Sequence, residues 1–572
     1  MDINNNFLYT ASLKTKDGTK WGYINETGEF EIKPHFDFAN DFQSNGLAIV
    51  KTKQRYGGIN VKGNFVIPPK FESINEFSEG RATVVLDNGF HVIDERGLLL
   101  NSKPFNFISM YQDGRALFSD IDTDGKFKYG YLNKAGNVVI PLQYEMASDF
   151  KDGMAVVKIK EDTFSLIDIN GNEIKLFFYN YVGNYGENML SFRKSVKGKY
   201  GYVNTEGTIV IQPSFTSAQP FENGRAVVNA AEDFGNKFGL INKKGAYIIK
   251  PIYNDITILG EHRVAVGKAI DEQRPYLGSK YAVANWKGEV LTAFKYNHIS
   301  LFDQGIASVS EDEKAYFIDR SGNRARGLPV VKNADSVTLV GKLIRVLENT
   351  RVSYVDRKGK LIWKQNTIIP LTKRYRILEK KYKPNKDYVV YYPQLDGLKI
   401  GVIEMVVNKR LKLLSKLKKI KQNEQLDYSY NGDFNVTFFK KNLLVIELYG
   451  YEYYFGAAHG MPNKTFVNIN LINGRFYELE NLFKKDSDYV ERLSEIIRHM
   501  IKTDPKYDYV FPGAYKGISK NQPFYVEEEF LVIYFEPYEI GPYAAGFPTF
   551  KIPFLKIIDI IDKKGEFWLS FH

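Results

Sequence analysis

The chain holds seven histidines, His35, His91, His262, His298, His459, His499 and His572, and no cysteine. The nearest two histidines are 36 positions apart, so no H-x-x-x-H pair offers zinc two imidazoles from one helix face. Without cysteine there is no thiolate nucleophile, disulfide or cysteine-held metal. His459 lies in Gly456-Ala457-Ala458-His459-Gly460, where it reads as a general base or, more simply, as a turn residue bonded to backbone. Carboxylates gather at Glu527-Glu528-Glu529, Glu536 and Glu539. Paired acids are what glycoside hydrolysis requires, and solvated loops beside strands are the plainer reading. Tyr543-Ala544-Ala545-Gly546 is either a close-approach surface or a small-residue turn. The G-x-S-x-G elbow is missing, and Gly57-Gly58 and Gly130 do not precede helices as a phosphate loop would. No cofactor and no metal are expected.

The net charge of +11 is concentrated. Between Met405 and Glu424 stand Lys409, Arg410, Lys412, Lys416, Lys418, Lys419 and Lys421 against the single acid Glu424. Apolar Val407, Leu411, Leu414, Leu417 and Ile420 share this window at helical spacing, which predicts a helix with one apolar stripe and a basic opposite face. The expected placement is on a sheet with the lysines in water. No nucleic-acid partner is expected, and peripheral membrane contact through 405–421 is the less favoured reading.

The elements that must carry these residues repeat. Asn or Asp followed three positions later by Gly recurs as Asn25/Gly28, Asn60/Gly63, Asp94/Gly97, Asn133/Gly136, Asp168/Gly171, Asn204/Gly207, Asn242/Gly245, Asn285/Gly288, Asp319/Gly322 and Asp356/Gly359. An Asx side chain bonds its own backbone two residues on, and Gly accepts positive φ, so each pair predicts a tight turn between two strands. In five copies a proline follows (Pro34, Pro68/Pro69, Pro141, Pro213, Pro251), where it is expected to end ladder pairing. A third strand opens with glycine at Gly46, Gly80, Gly153 and Gly224. Trp21-Gly22, Tyr56-Gly57, Tyr129-Gly130, Tyr200-Gly201 and Phe238-Gly239 make the segment from about 18 to 365 resemble the WG (KWG) repeats of bacterial proteins. Three strands in about 36 residues fall short of a propeller blade and favour an open β-solenoid-like array over a propeller-like toroid.

Beyond the repeats a smaller α+β domain is expected, with a second helix over Ser487–Lys502 and closing strands near 530–535 and 550–552. The words Tyr392-Pro393-Gln394-Leu395-Asp396-Gly397-Leu398, Gly456–Gly460 and Tyr538-Glu539-Ile540-Gly541-Pro542-Tyr543-Ala544-Ala545-Gly546 resemble the domain of lysozyme-sensing anti-sigma factors. The same domain accompanies the catalytic part of a peptidoglycan deacetylase. Ala457 stands where that family has glycine. The resemblance implies a receptor-like fold without the deacetylase's catalytic domain, and a cell-envelope role.

The organisation expected is therefore a lead-in at 1–17, ten repeats at 18–365, a linker at 366–387 and the α+β domain at 388–572. The function expected is a non-catalytic binding or scaffold protein for a protein or cell-wall glycan, not an enzyme. Arg81, Arg115 and Arg225 on the array, with His459, Glu539 and Tyr543 in the second domain, are the candidate contacts. The alternative is a cell-wall hydrolase or deacetylase working through C-terminal carboxylates. The start of the sequence lacks a basic then apolar leader, which points to the cytoplasm, while the resemblance points to the cell surface.

Overall fold

The computed structural model describes residues 7–232 and 235–572. The chain forms two compact units, one holding Trp21–Lys364 with the chain up to Ala11, the other Ser12–Lys20 with Gln365–His572.

The first unit is built from small antiparallel sheets of three or four strands, ten among the described residues. Every one of the ten Asx–Gly pairs forms the same bend. The glycines sit at φ between +79° and +90°, each donating its N–H to the carbonyl of its Asx partner. In each the Asx side-chain oxygen also accepts the N–H four residues on. Asn25 does so from Glu29, Asn60 from Asn64, Asn133 from Asn137, Asn204 from Thr208 and Asn242 from Ala246.

Turn chemistry alone does not account for these glycines, which corrects the local reading of them. Each bend also lies against the sheet before it, where a side chain would collide or crowd. A Cβ on Gly136 would lie 2.8 Å from the Leu100 backbone, and one on Gly207 would lie 2.6 Å from the Lys175 side chain. At Gly63 and Gly245 the neighbours are the side chains of Ile32 and Ile211, at 3.4 and 3.2 Å. Gly28, in the first repeat, meets the carbonyl oxygen of Ile362 in the last sheet, at 2.5 Å. Gly28, Gly63, Gly136, Gly207 and Gly245 thus line the seams between sheets as well as turning the chain.

Each sheet straddles the unit read from sequence. The strand opening after Gly46, Ala48–Thr52, pairs with Arg55–Ile59, which pairs with Phe65–Phe71. Most sheets gain a fourth strand of two residues, such as Phe38–Ala39, too short to leave any periodicity. Seven of the ten sheets have four strands in place of the expected three, and the other three keep three.

The prolines correct a further expectation. Pro34, Pro69, Pro141, Pro213 and Pro251 lie inside strands, within a two-residue bulge. Trp21 pairs Phe36 while Tyr23 pairs Ile32, and the other four copies repeat this shift. The bulge folds the strand onto the glycine of its neighbour. A Cβ on Gly22, Gly57, Gly130, Gly201 or Gly239 would lie 2.3–2.8 Å from the carbonyl oxygen of Ile32, Ile67, Ile140, Ile211 or Ile249. Copies without that glycine also lack the proline five or six residues after the turn. Where Ser165 and Ser353 replace it, the two-residue bulge is missing at that position: Ser165 pairs Leu176 and Ser353 pairs Lys364.

Neighbouring sheets share their cores. Tyr202, Ile211 and Phe215 of one pack with Phe221, Ala226, Val228 and Ile241 of the next. A buried tyrosine also donates its hydroxyl to a carbonyl of the following sheet: Tyr23 to Asn40 at 2.7 Å, Tyr131 to Ser148 at 2.6 Å, Tyr202 to Gln219 at 2.6 Å. In the last sheet Tyr354 makes the corresponding bond to Thr10, at 2.9 Å, in the first. Arg345 pairs with Asp41 at 2.6 Å, Lys342 with Glu26 at 2.9 Å, and Tyr9 meets Tyr354 edge to face.

In the second unit a seven-stranded sheet runs from Ile368–Pro370 and Arg376–Asn385 through Tyr388–Asp396, Tyr428–Lys440, Leu443–Tyr454 and Met461–Asn470 to Phe476–Tyr477. The segment expected as a linker, 366–387, is thus largely strand: Arg376–Asn385 pairs with Ile368–Pro370 on one side and Tyr388–Asp396 on the other. Leu444 and Ile446 face helix α1 (Gly401–Leu414) through Val407 and Leu411. Leu443 and Val445 face helix α2 (Tyr489–Thr503) and a three-stranded sheet of Phe524–Val526, Phe530–Tyr534 and Thr549–Pro553. Helix α1 ends at Leu414, short of the expected 421, with Lys416 at φ +57°. Leu417 and Ile420 continue the apolar pattern but pack beside Tyr388 and Tyr430 instead. Lys14, 5% exposed, belongs to this unit, held by Glu379 at 2.9 Å and Asp433 at 2.7 Å.

Replacing Gly201 by Ala is expected to destabilise the array by about 1–3 kcal/mol, because the new methyl meets backbone that cannot swing aside. Ser353→Ala, where the pairing with Lys364 and on to Trp363 is regular, is expected to cost less than about 0.5 kcal/mol. Calorimetric melting of the two variants compares them directly; equal effects would refute the bulge as the reason for the glycine.

Candidate recognition surface

The strand Leu443–Tyr454 outruns the core beneath it. On one face its residues pass from buried Leu443 and Val445 through half-buried Glu447 to Tyr449 and Tyr451, which are 37% and 41% exposed. It pairs with Met461–Asn470 as far as Glu452 opposite Met461, and the connecting turn carries His459. The segment after Phe530–Tyr534 returns over this hairpin with Glu536, Tyr538, Glu539 and Tyr543.

Three separate segments therefore meet. The imidazole of His459 stacks on the Tyr543 ring with centroids 4.0 Å apart, and its Nε2 lies 3.3 Å from the Tyr538 hydroxyl. His459 Nδ1 is 3.1 Å from the Gly460 carbonyl, which can only accept. In the neutral ring Nδ1 then carries the proton and Nε2 accepts from Tyr538. Tyr543 donates to the same Gly460 carbonyl at 2.9 Å, and the Gly460 N–H donates to the Tyr451 hydroxyl at 2.9 Å. The Tyr451 hydroxyl bonded to it holds the Tyr543 phenol above its ordinary range. Tyr538 adopts φ +69°, which costs a non-glycine residue about 1 kcal/mol. Glu539 supports that bend by accepting the Glu536 N–H at 2.8 Å.

Beside this cluster the Lys464 ammonium lies 4.4 Å from the Phe547 ring centre and 4.9 Å from that of Tyr534. Burial draws Lys464 below its usual range, opposed by the charges of Glu447 and Glu536. Burial also lifts the Glu447 carboxyl, against the pull of Lys464 and Asn435. Desolvation and then the negative charge of Glu539 raise Glu536.

His459, Glu539 and Tyr543 are thus brought together, as the second and third sequence words suggest. The first word lies elsewhere. Leu395 exchanges two hydrogen bonds with the Asn408 side chain, and Gly397 and Leu398 donate to Glu404 at 2.9 Å, so this word seats α1. Ala457 fits without left-handed backbone, which the turn places at Gly456 instead. On the array Arg81 and Arg115 donate Nε to the carbonyls of Lys134 and Ile169 in the next sheet, at 2.5 and 3.1 Å. Arg225 bonds its neighbour Gly224 and lies over Trp286, 5.4 Å from the ring centre. These guanidinium groups fasten turns together. Tyr451, Glu447 and Lys464 were not singled out from sequence; the alternation of Glu447, Tyr449 and Tyr451 along a strand longer than expected was the available signal.

Among the described residues no cluster of three or more His, Asp or Glu is arranged to hold a metal, and no helix is long and apolar enough to cross a membrane.

Comparison with known proteins follows this division. Residues 21–56, 56–90, 129–161, 200–230, 238–258 and 281–314 match the family described as WG containing repeat. Residues 480–554 match the family described as a protein of unknown function, DUF3298. The chain carries WG repeats and a DUF3298 domain. Within the DUF3298 region it is similar to the peptidoglycan-N-acetylmuramic acid deacetylase PdaC of Bacillus subtilis, 24% identical over 168 residues, 28% of this chain and 35% of that protein. The chain thus spans about a third of the length of that relative. A crystal structure of a DUF3298 member from Bacteroides fragilis aligns at 19% identity and TM-score 0.27, covering 33% of this chain and 93% of that one. Another from Pseudomonas aeruginosa aligns at 16% identity and TM-score 0.26, covering 34% and 95%.

Replacing Glu447 by Gln tests the electrostatics of the second unit. A carboxyl whose folded pKa is raised opposes folding once the pH exceeds the carboxylate range, and is neutral in both states well below it. Glu447→Gln is therefore expected to raise the melting temperature at pH 7, with the gain fading as pH falls through the carboxylate range. A constant difference across pH would contradict it.

Proposed function

We propose that this chain is a non-catalytic recognition protein, in which the DUF3298 domain binds a protein or cell-wall glycan through the surface around His459. The observation that carries this reading is the meeting of His459, Tyr451, Tyr538 and Tyr543 from three segments at a partly exposed surface. Tyrosines of this kind supply rigid contact area at little entropic cost and dominate binding hot spots. The resemblance of the surrounding words to the domain of lysozyme-sensing anti-sigma factors supports a protein ligand of the lysozyme type, met at the cell envelope. With purified full-length chain, binding to lysozyme and to peptidoglycan fragments is expected in titration calorimetry. Tyr543→Ala is expected to weaken it about 30-fold or more, as hot-spot truncations do. Absence of binding to both ligands would end the proposal.

The WG repeats serve this reading as a scaffold, and we infer that their sheets close into a ring, the propeller-like alternative to an open array. One support is that Tyr354 hands its hydroxyl to Thr10 as Tyr23, Tyr131 and Tyr202 hand theirs to the following sheet. Another is that Gly28 rests on Ile362 as Gly63 rests on Ile32 and Gly245 on Ile211. Zero-length carbodiimide coupling is expected to join Lys342 to Glu26, which are 2.9 Å apart. An open array would leave these residues unlinked within one molecule.

A second reading, hydrolysis or deacetylation at the cell wall, is favoured by one observation: the raised carboxyls of Glu447 and Glu536 flank the depressed Lys464. Such perturbed groups are what acid–base chemistry uses. Release of reducing ends or acetate from peptidoglycan by the chain, abolished in Glu536→Gln, would replace the recognition reading with this one.

A further inference from the structure

Helix α1 has two apolar faces. One, with Val407 and Leu411, is buried on the sheet. The other is bare: Val402 is 67% exposed, Met405 65%, Val406 57% and Leu413 77%, with Ile400 just before the helix at 53%. Val402, Val406, Lys409 and Leu413 follow at spacings of 4, 3 and 4, so they form one stripe along the outward side. Exposed aliphatic groups concentrated in this way on a folded surface mark an interaction site.

The charges around the stripe name the partner. The side chains of Lys399, Lys409 and Lys412 are exposed and make no hydrogen bond or ion pair among the described residues. The one acid of the helix, Glu404, is directed away, its carboxylate accepting the N–H groups of Gly397 and Leu398. The stripe is aliphatic and outward-facing, and lysines lie along it as well as at its edge. Lysine stems can run along apolar surface while their ammonium groups reach outward to headgroups. At 14 residues the helix is about 21 Å long, too short to span a bilayer and suited to lying along one.

We propose that α1 docks the chain on an anionic phospholipid surface, its aliphatic stripe entering the headgroup boundary and Lys399, Lys409 and Lys412 meeting lipid phosphates. This goes beyond the recognition reading and does not depend on it, because the surface around His459 shares none of these residues.

The test is sedimentation of full-length protein with large vesicles of phosphatidylcholine alone, or with phosphatidylglycerol at about one lipid in three. Preferential binding to the anionic vesicles, lost in high salt, is expected. Lys409→Glu with Lys412→Glu should weaken it at least about 10-fold, given that each basic residue near such a surface contributes about a fivefold factor. Val402→Asp with Leu413→Asp should weaken it comparably, with unchanged melting temperature and circular dichroism. Should that pair unfold the domain, Val406→Trp supplies the readout, a blue-shifted emission with anionic vesicles only. Equal or absent binding to both vesicle types, or wild-type binding by the aspartate variant, would overturn the proposal. So would a wild-type dimer that the aspartate variant dissolves, which would assign the stripe to a second copy of the chain.

Discussion

No sheet of the array can bury its own side chains. With three or four short strands it has two broad faces and too little volume between them, so its apolar residues are covered only when another sheet is laid against each face. The cores of the first unit accordingly lie between sheets, as where Leu47, Ile49 and Ile67 meet Ala82, Val84 and Ile93. Apolar contact alone would let neighbours slide. The tyrosine hydroxyls that bond the next sheet's backbone, and the arginines that reach the next sheet's turn, fix the offset between them. Because an unpaired buried carbonyl or hydroxyl is costly, each of these bonds penalises any other register.

The parts of this arrangement legible in the sequence were the local ones. Asn25, Gly28 and their counterparts announce their bends because Asx capping and positive φ act within five residues. That Gly136 and Gly207 also press on the preceding sheet was hidden, since their neighbours there, Leu100 and Lys175, lie more than thirty positions upstream. The two-residue strands were not legible, since alternation needs more than two residues to register. Nor was the seat of Pro34 and its equivalents. A missing N–H suggested an end to pairing, and only the adjacent strand shows that a bulge absorbs the proline inside the ladder. Helix α1 was overextended for a related reason: Leu417 and Ile420 keep helical spacing by coincidence, while their partners are tyrosines from two strands.

The candidate surface lay further from reach. His459 and Tyr543 are separated by 84 positions and stack only because the hairpin outgrows the core and the later segment folds back over its end. Resemblance pointed to both, but their contact is a property of the tertiary fold. The array arginines show the converse. A charged residue next to a turn glycine resembles a binding contact in sequence, and in the folded chain Arg81 and Arg115 spend their Nε donors on neighbouring backbone.

The pairing of glycine with a proline bulge also imposes an order on how such repeats can diverge. A glycine beside a regular ladder is merely loose, whereas a side chain beneath the bulge of Ile211 to Phe215 strikes a carbonyl. A copy can therefore flatten its outer strand first and acquire a bulkier neighbour later, but the opposite sequence of events passes through a misfit. The repeats of Ser165 and Ser353 hold the other compatible pair, a side chain beside a strand without that bulge, and no single substitution turns one arrangement into the other without passing through either the misfit or a loose glycine.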